Sequence, residues 1–451
     1  MTGLNGYQQP GAPAQVCEVL GGAGVVSGDV SNVVVRCHRR VEALTCADDM
    51  TCVLLAGGLA KCWGFNGAQG QLGIGATDSR GDGPGEMGDA LPAVDVGTGR
   101  AVLSLSTQDS HVCAVLDNAA VKCWGLNNGQ LGLGNGANHG AFPATMGDGL
   151  PAVDLGSGRT ARDVSVGGRH SCAVLDNGAL KCWGDGTDGQ LGFVEGVNDV
   201  RGDEANEMGN FLPTVDFGTS GEVGGVALGT EHSCAIIPAG LKCFGAGSSG
   251  RLGLGTGNNL HDPSGTAPIA LGAGRSPIHV ATGLDHTCAV LDDGSVKCWG
   301  AAAAGQLGLG DTSSRGDNAG EMGDVLPAVA LGTSVSAIAV AAGQEMTCAL
   351  LAGGGVKCWG DNSAGQLGLG DTVRRGDNAG EMGDLLPFVA LGTGATATSI
   401  CAGGRHACAI VAGGRVKCWG EGITLGAGDL ENRGDEPNEM GDALPFVDLG
   451  P

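Results

Sequence analysis

The stretch from Val164 to Gly192 reads VSVGGRHSCAVLDNGALKCWGDGTDGQLG, and variants of it recur seven times along the 451-residue chain. The copies follow one another at intervals of 55 to 61 residues. One aromatic position marks them: Trp63, Trp124, Trp183, Phe244, Trp299, Trp359 and Trp419. A repeat of this length predicts a solenoid or a propeller, in which each unit buries its apolar faces against its neighbours.

Each copy offers four short apolar runs that are separated by turn residues, and none of the runs has helical periodicity. In the third copy they are Leu150–Leu155, Ala161–Val166, Ser171–Leu175 and Ala179–Trp183. Four strands in each of seven units predict an all-β fold, a seven-bladed β-propeller.

The ends of the repeat region predict how the ring closes. Leu444–Leu449 matches the first run of a unit, whereas the copy that begins near Val41 has no first run of its own. Pairing of this C-terminal strand with the N-terminal blade would close the ring and remove exposed edges. The expected domains are a propeller over residues 41–451 and an N-terminal linker or extension over residues 1–40, whose start, Met1–Gln15, is rich in Gly, Pro and Gln.

Composition excludes some classes of function. The chain has 48 acidic and 24 basic side chains, a net charge of −24, so a nucleic-acid partner is not expected, because phosphate binding needs a dense cationic patch. Apolar runs are too short for a membrane-spanning helix, so membrane insertion is not expected either. Hydrophobic residues make up 42% of the chain, which is enough for a packed core.

Fourteen of the 18 cysteines form short pairs that would face each other across β-hairpins. In the third copy, a three-residue turn at Asp176-Asn177-Gly178 places one cysteine opposite the other, at a separation that suits a disulfide. Zinc is the weaker alternative, because zinc motifs place four closely spaced ligands together. The expected hairpin disulfides are Cys52–Cys62, Cys113–Cys123, Cys172–Cys182, Cys234–Cys243, Cys288–Cys298, Cys348–Cys358 and Cys408–Cys418.

The other four cysteines allow three pairings. Cys46 and Cys401 precede their hairpins by similar distances in blades that ring closure makes neighbours, so a Cys46–Cys401 bridge is predicted, together with Cys17–Cys37. This many disulfides predicts an oxidising compartment, at the cell surface or outside the cell. Met1–Pro10 lacks the features of a signal peptide, so we expect either that an export segment was removed or that the chain is part of a larger exported protein.

The run from Gly167 to Leu175, with the Asp-Asn-Gly, Cys-Trp-Gly and Gly-Gln-Leu-Gly that follow it, resembles the regulator of chromosome condensation repeat family. The resemblance covers roughly Val41 to Pro451 and is closest to disulfide-rich, bacterial-type members. It implies a seven-bladed propeller but no single function, since the family includes a nucleotide exchange factor, a plant ultraviolet-B photoreceptor and a secreted bacterial β-lactamase inhibitor. The photoreceptor's sensing tryptophans lie in a Gly-Trp-Arg-His-Thr context, which here reads GGRHS from Gly167 and GGRHA from Gly403.

Five copies carry a long acidic loop with Arg-Gly-Asp followed by Glu-Met-Gly-Asp or a close variant. Three interpretations are open: a structural loop with internal ion pairs, a calcium site built from hard oxygen ligands, or a recognition motif for Arg-Gly-Asp receptors. The candidate calcium ligands are Asp82, Glu86, Asp89, Asp317, Glu321, Asp324, Asp377, Glu381 and Asp384. No other cofactor is expected.

Two further positions repeat. A histidine precedes the first hairpin cysteine in five copies and is replaced by Met50 and Met346 in the others; it suggests either a metal- or anion-binding ring around the channel or a shared packing and hydrogen-bonding position. A lysine precedes the second cysteine in every copy, and we expect its stem to lie on the tryptophan ring, with the ammonium in solvent or paired to an acidic loop. The histidines are His111, His170, His232, His286 and His406, and the lysines are Lys61, Lys122, Lys181, Lys242, Lys297, Lys357 and Lys417.

The sequence contains no nucleophile elbow, Walker loop or zinc-protease motif, so we expect no enzyme activity. The leading hypothesis is a monomeric, secreted or surface-exposed propeller that acts as a binding scaffold for a protein or glycan. Its irregular loops, Asn135–Pro143, Phe193–Val200 and Gly255–Pro268, are the expected recognition elements. The alternatives are a calcium-stabilised module of a larger extracellular protein and, less favoured by charge and cysteine content, a protein like the guanine-nucleotide exchange factor.

Overall fold

The structure is a computed structural model that describes residues 15–20, 34–193 and 200–451, with only the backbone of 15–20 and 34–37. Its strands in chain order are β1 (Gln15–Leu20), β2 (Val34–Arg39), β3 (Val41–Cys46), β4 (Met50–Leu55), β5 (Leu59–Gly64), β6 (Val102–Gln108), β7 (His111–Leu116), β8 (Val121–Gly125), β9 (Ala161–Val166), β10 (His170–Leu175), β11 (Leu180–Asp185), β12 (Val200–Arg201), β13 (Gly225–Leu228), β14 (His232–Ile237), β15 (Gly240–Gly245), β16 (Pro277–Thr282), β17 (His286–Leu291), β18 (Val296–Gly300), β19 (Ala337–Ala342), β20 (Met346–Leu351), β21 (Val356–Gly360), β22 (Ala397–Ala402), β23 (His406–Val411) and β24 (Arg415–Gly420). Short 3-10 helices occupy Gly88–Ala90, Pro143–Thr145, Gly147–Gly149, Ser248–Gly250, Gly383–Leu385 and Gly422–Thr424.

The all-β fold and its division into seven blades are confirmed. Three consecutive strands, inner, middle and outer, form one antiparallel sheet in each blade. Blades 1 to 7 begin at strands β3, β6, β9, β13, β16, β19 and β22, and blade 3 adds the two-residue strand β12 at its outer edge. No helix among the described residues is both long and apolar enough to cross a membrane.

The hairpin between the middle and outer strands has the predicted register. Cys172 lies opposite Cys182 in blade 3, and a two-residue turn between Ile237 and Gly240 preserves the opposition in blade 4. Gly178 has φ 77° at the third turn position, and Ala119, which replaces glycine there in blade 2, has φ 60°. That left-handed conformation is strained for alanine, as the turn chemistry predicts.

The structure contains the seven hairpin disulfides and the Cys46–Cys401 bridge. The Cα–Cα distances are 4.0–4.1 Å in the hairpins and 5.6 Å for Cys46–Cys401. Strands β1 and β2 pair with Cys17 opposite Cys37. The side chains of those two cysteines lie outside the described residues, as do residues 1–14 of the expected linker, so the Cys17–Cys37 bridge and the boundary at residue 40 stay predictions.

The first apolar run of each copy lies on a different blade from the predicted one. It belongs to the blade before the one to which we assigned it: Val153 donates to the carbonyl of Val121 in blade 2. Leu444–Leu449 likewise lies along blade 7, where Val447 donates to Val416, instead of completing blade 1. The long loop after each outer strand first pairs with that strand through a single β-bridge, such as the one between Gly300 and Arg315. The chain then returns along the open edge of the same sheet, which is nearer than the next blade.

The ring nevertheless closes, because the buried residues form seven hydrophobic clusters, one for each interface between neighbouring blades. An open row of seven blades would have one interface fewer. The closing cluster joins Val53 and Trp63 of blade 1 to Ile410 and Val416 of blade 7, with Leu449 packed between them. Inner strands of all seven blades line one central cavity of about 230 Å³.

Candidate functional site

The repeated histidines connect neighbouring blades. Each ring Nε2 lies 2.8–3.0 Å from a hydroxyl group on the middle strand of the next blade. In blade 3, the partner of His170 is Ser233, whose hydroxyl donates to the carbonyl of Gln190. The serine oxygen therefore accepts from Nε2–H, and the imidazole is the neutral Nε2–H tautomer.

The two blades that lack the histidine support this structural role. Met50 replaces it in blade 1 and Met346 in blade 6, and the next blades carry Val112 and Ala407 where the others carry serine or threonine. Histidine and hydroxyl thus appear together and disappear together around the ring. This correlation follows from the cost of a buried polar group without a partner.

The histidines are fully buried, and burial is the main cause of their lowered pKa values. The pKa falls to about 3 for His111 and His406 and to about 4 for His170 and His286. These imidazoles are therefore neutral at pH 7. Since each belongs to a separate interface and bonds to its neighbour, the geometry favours the hydrogen-bonding interpretation over a metal or anion ring.

The repeated tryptophans and lysines also connect blades. Trp183 Nε1 donates to the carbonyl of Gln130 in the preceding blade at 2.9 Å. The ammonium of Lys181 donates to Leu155, in the run along blade 2, and to Gly209, in the loop of its own blade. Six of the seven lysines are at most 9% exposed, so of the two expected positions the solvent-facing ammonium was wrong, whereas the bond to Gly209 agrees with the position at an acidic loop. Burial lowers the pKa of Lys181.

The acidic loops are held together by their glutamate. In blade 6, Glu381 Oε2 accepts from the backbone N–H groups of Gly376 and Asn378. Asp377 lies beside it; burial, together with the contact to Glu381, raises the pKa of Asp377. Burial also acts to raise the pKa of Glu381, but hydrogen bonds from Asn378 and other donors bring it below its usual range. The pair is therefore suited to sharing one proton.

In blades 5 and 6, the third carboxylate of the candidate calcium set bonds to a different part of the structure. Asp384 accepts from the backbone N–H and the hydroxyl of Thr333, and Asp324 accepts from the N–H of Ala273, both in the turn after the preceding blade's run. The structure thus brings Asp82 near Glu86 and Asp317 near Glu321 but does not gather three acids in one place.

Among the described residues, one group of three potential metal ligands lies within 4.8 Å: Cys46, His406 and Cys408. Both cysteines are in disulfides, so their sulfurs are not thiolate ligands. Calcium binding at the acidic loops stays a prediction.

The irregular loops follow blades 2, 3 and 4, which are consecutive, and we call them the irregular sector. The first and third of these loops lie at equivalent places, because Gly125 bridges His139 just as Gly245 bridges Leu260. Asn259 of the third loop donates to Asp188 of blade 3, so this loop reaches over the blade before it. Residues 194–199 of the middle loop lie outside the described residues.

The first and third loops of the irregular sector carry less charge than a regular loop. Asn135–Pro143 has no charged side chain, and Gly255–Pro268 has one carboxylate, Asp262, whereas the regular loop Gly310–Asp324 has five charged residues. Phe142 is 67% exposed. Exposed amides also come from both loops: Asn135, Asn138, Asn258 and Asn259.

Sequence reasoning found every repeated position but missed the partners of the histidines and lysines. The histidine partner had a signal in the chain itself, since Val112 and Ala407 depart from the repeat together with Met50 and Met346. The lysine partners are backbone carbonyls, which leave no such signal.

Comparisons with known proteins agree with this architecture. A model of the regulator of chromosome condensation (RCC1) repeat matches residues 161–190, 278–306, 337–366 and 397–422. The ultraviolet-B receptor UVR8 of Arabidopsis thaliana is 32% identical over 275 residues, which cover 60% of this chain. The chain spans 56% of the length of that relative.

Solved structures share the fold. The crystal structure of human WBSCR16 has a TM-score of 0.62 at 22% identity, over 85% of this chain and 92% of that one. Yeast RCC1 (Prp20), in its complex with Kap60, has a TM-score of 0.58 at 19% identity, over 90% of this chain and 85% of that one. Four of the seven copies thus match the RCC1 repeat in sequence, and the chain shares the fold of these solved propellers.

Proposed function

We propose that this propeller is a non-catalytic scaffold that binds a protein or a glycan through the irregular sector. The observation that carries the proposal is the contrast between two sets of polar residues. The repeated histidines, lysines and tryptophans are buried in contacts between blades, whereas the irregular loops expose amides and Phe142. Loops on a rigid framework commonly carry recognition.

The chemistry of the sector suits an uncharged polar ligand surface. In a chain of net charge −24, the loops Asn135–Pro143 and Gly255–Pro268 have one carboxylate between them, so a ligand meets less repulsion and less desolvation there. Asparagine amides both donate and accept hydrogen bonds, which matches sugar hydroxyls or a peptide backbone. An exposed phenylalanine provides an apolar face for either.

We place the protein in an oxidising compartment, at the cell surface or outside the cell. Eight disulfides among the described residues support this, because cytosolic thiols are kept reduced. Quantifying free thiols in protein that is alkylated as the native cells are lysed tests it. Alkylation of most hairpin cysteines would overturn the placement.

Two activities of related proteins, ultraviolet-B reception and nucleotide exchange, are not proposed for this chain. Ultraviolet-B reception is disfavoured because Gly168 stands where the photoreceptor motif has tryptophan, and a Cβ atom there would lie 2.8 Å from Thr230. Nucleotide exchange is disfavoured by the disulfides and the acidic charge, and the likeness to yeast RCC1 concerns the fold alone.

A loop exchange tests the scaffold proposal. Residues 135–146 of blade 2 and 371–382 of blade 6 are both twelve residues long and align at their bridging residues, His139 and Arg375. We expect the native chain to bind ligands on a glycan array or in a panel of purified extracellular proteins, and the variant that carries the blade 6 loop in blade 2 to lose that binding. The control carries the same loop at residues 311–322 of blade 5, where the sequence is nearly identical, and should bind normally.

Retained binding in the blade 2 exchange, with the fold intact, would contradict a role for this loop. Equal loss in the control would mean that the exchange itself disturbs the propeller.

A second candidate is a calcium-stabilised module, which one observation favours: Asp377 and Glu381 face each other with a raised aspartate pKa, and a cation would relieve their repulsion. Thermal unfolding in EDTA and in millimolar calcium tests this. A clear rise of Tm with calcium supports ion sites, since a ligand of the folded state stabilises it by mass action. An unchanged Tm contradicts them.

A further inference from the structure

The interface between blades 1 and 7 is joined by a disulfide bond from one blade to the other. Cys46 ends the inner strand of blade 1, and Cys401 lies on the inner strand of blade 7. Among the described residues, theirs is the one disulfide that joins two blades. This interface is also where no loop leads from one blade to the next, so we call it the seam.

The repeat shows that neither cysteine is needed to form an inner strand. In blade 7, Cys401 lies opposite Cys408, and the equivalent residue in blade 6, Ala341, lies opposite Cys348. The residue equivalent to Cys46 in blade 6 is Ala342, which lies opposite Thr347, just as Cys46 lies opposite Thr51. The blades fold with alanine at both positions, so the two cysteines add a link at the seam alone.

The seam disulfide is the one that faces the central cavity. Both of its cysteines line that cavity, with exposures of 5% and 8%. The fourteen hairpin cysteines are at most 3% exposed and are absent from the cavity lining. A small thiol that enters the cavity therefore meets Cys46–Cys401 before any other described disulfide.

The surroundings favour the closed, oxidised form until a thiol arrives. His406 has a ring nitrogen within 4.8 Å of the sulfurs of Cys46 and Cys408, but its Nε2 is bonded to Thr51, and its Nδ1 lacks a hydrogen-bond partner. A neutral imidazole does not supply the positive charge that stabilises thiolates in catalytic dithiols. The site is thus a target of thiols instead of an oxidoreductase centre.

We propose that Cys46–Cys401 is a redox-sensitive lock on ring closure, which a small dithiol opens before it reduces any hairpin disulfide. One thiolate of the dithiol attacks a seam sulfur, the S–S bond breaks, and the other cysteine leaves as a thiolate that takes up a proton. The second thiol of the reagent then displaces the first cysteine and closes the reagent's own disulfide. The reagent is oxidised by two electrons, and the protein gains two thiols.

Opening the lock loosens the seam without unfolding the blades. The hydrogen bonds from His406 to Thr51 and from Trp63 to Thr424, together with the apolar cluster, still join the two blades. However, no peptide linker restrains their separation, unlike at the other interfaces. Faster amide exchange is therefore expected in β3 and β22, which face each other across the seam.

Graded reduction with dithiothreitol tests the proposal on the full native chain. Samples are alkylated without denaturant and mapped by mass spectrometry, and amide exchange is measured at the same doses. We expect Cys46 and Cys401 to be labelled at doses at least about tenfold lower than any hairpin cysteine, with faster exchange in β3 and β22. Labelling of hairpin cysteines at equal or lower doses overturns the preference, and labelling of the seam without faster exchange overturns the lock.

Variants separate the lock from general loss of disulfides. The double variant C46A/C401A copies the alanines of blade 6 and should show the faster seam exchange without reductant, with Tm lower by about 5 °C or more. The matched control, C172A/C182A, removes a hairpin disulfide and should leave exchange at the seam unchanged. An identical exchange pattern in the two variants would contradict the proposal.

Discussion

At the residue scale, the histidine–hydroxyl pair is the repeated bond between blades. His170→Ala removes the donor to Ser233, across the interface between blades 3 and 4. We expect it to lower the free energy of unfolding by about 2–4 kcal/mol, because it adds a cavity to a lost buried hydrogen bond. The double variant H170M/S233V copies the pairing of Met50 with Val112 and should recover part of that loss. Urea unfolding measures both, and a double variant less stable than H170A would contradict the pairing.

The same pairs make the stability depend on acid. The unfolded histidines take up protons below a pKa of about 6.5, whereas the folded ones, with pKa values of about 3 to 4, do not. The unfolded state therefore binds more protons as the pH falls from 6.5 towards 4, and stability is lost at up to about 1.4 kcal/mol per pH unit for each histidine. H170M/S233V lacks this histidine, so the pH dependence of its free energy of unfolding should correspond to the uptake of one proton fewer over this window. An unchanged slope would show that His170 titrates normally in the folded state.

At the residue scale, the sequence predicts the conformation of a residue within a hairpin but not the contacts between distant loops. Ala119 occupies the third position of a three-residue hairpin turn, and this local pattern is enough to predict the left-handed conformation that the structure shows, with φ 60°. The partner of Lys181 could not be found, because its acceptors, Leu155 and Gly209, are backbone carbonyls on two different loops. Any residue type at those positions offers the same carbonyl, so no pattern of side chains records the contact.

At the element scale, two substitutions in the acidic loop of blade 6 distinguish a structural role of this loop from an ion-binding role. Glu381→Ala removes the acceptor for the N–H groups of Gly376 and Asn378, and we expect a loss of about 1–2 kcal/mol. Asp377→Asn removes the carboxyl whose pKa is raised beside Glu381 and should be neutral or slightly stabilising in EDTA. Thermal unfolding distinguishes them, and a large destabilisation by D377N in EDTA would contradict this account.

The register of the hairpins could be predicted from the sequence, whereas the blade on which the first run of each copy lies could not. A hairpin's register follows from its turn, because the two strands are adjacent in sequence. The run Leu150–Leu155 is equally apolar whether it covers the outer strand before it or begins the blade after it. Its choice is fixed by a single described backbone bond to that strand, from Val153 to Val121, and by the bridge that starts the loop, neither of which the apolar pattern encodes.

At the scale of the whole molecule, the seam repeats the other interfaces in its apolar cluster, its tryptophan bond and its histidine bond. The seam also has the Cys46–Cys401 bridge in place of a linker, so the stability of the ring should depend little on where the chain is cut. Val41 and Pro451 line the same cavity of about 400 Å³, so a short Gly/Ser linker can join them. New ends can be placed at Gly380, which is exposed and has φ 87°, with nothing within 4 Å of its Cβ position.

We expect the permutant of residues 41–451, cut at Gly380, to unfold within a few degrees of the linear 41–451 chain, because every interface between blades is retained. Each blade still closes its own hairpin, and the loop of blade 6 loses only its tip. Calorimetry on both proteins measures the difference. A cooperative linear chain with a non-cooperative permutant would show that the stability of the ring depends on the position of the chain ends. Failure of the linear chain itself would instead place residues 1–40 inside the folding unit.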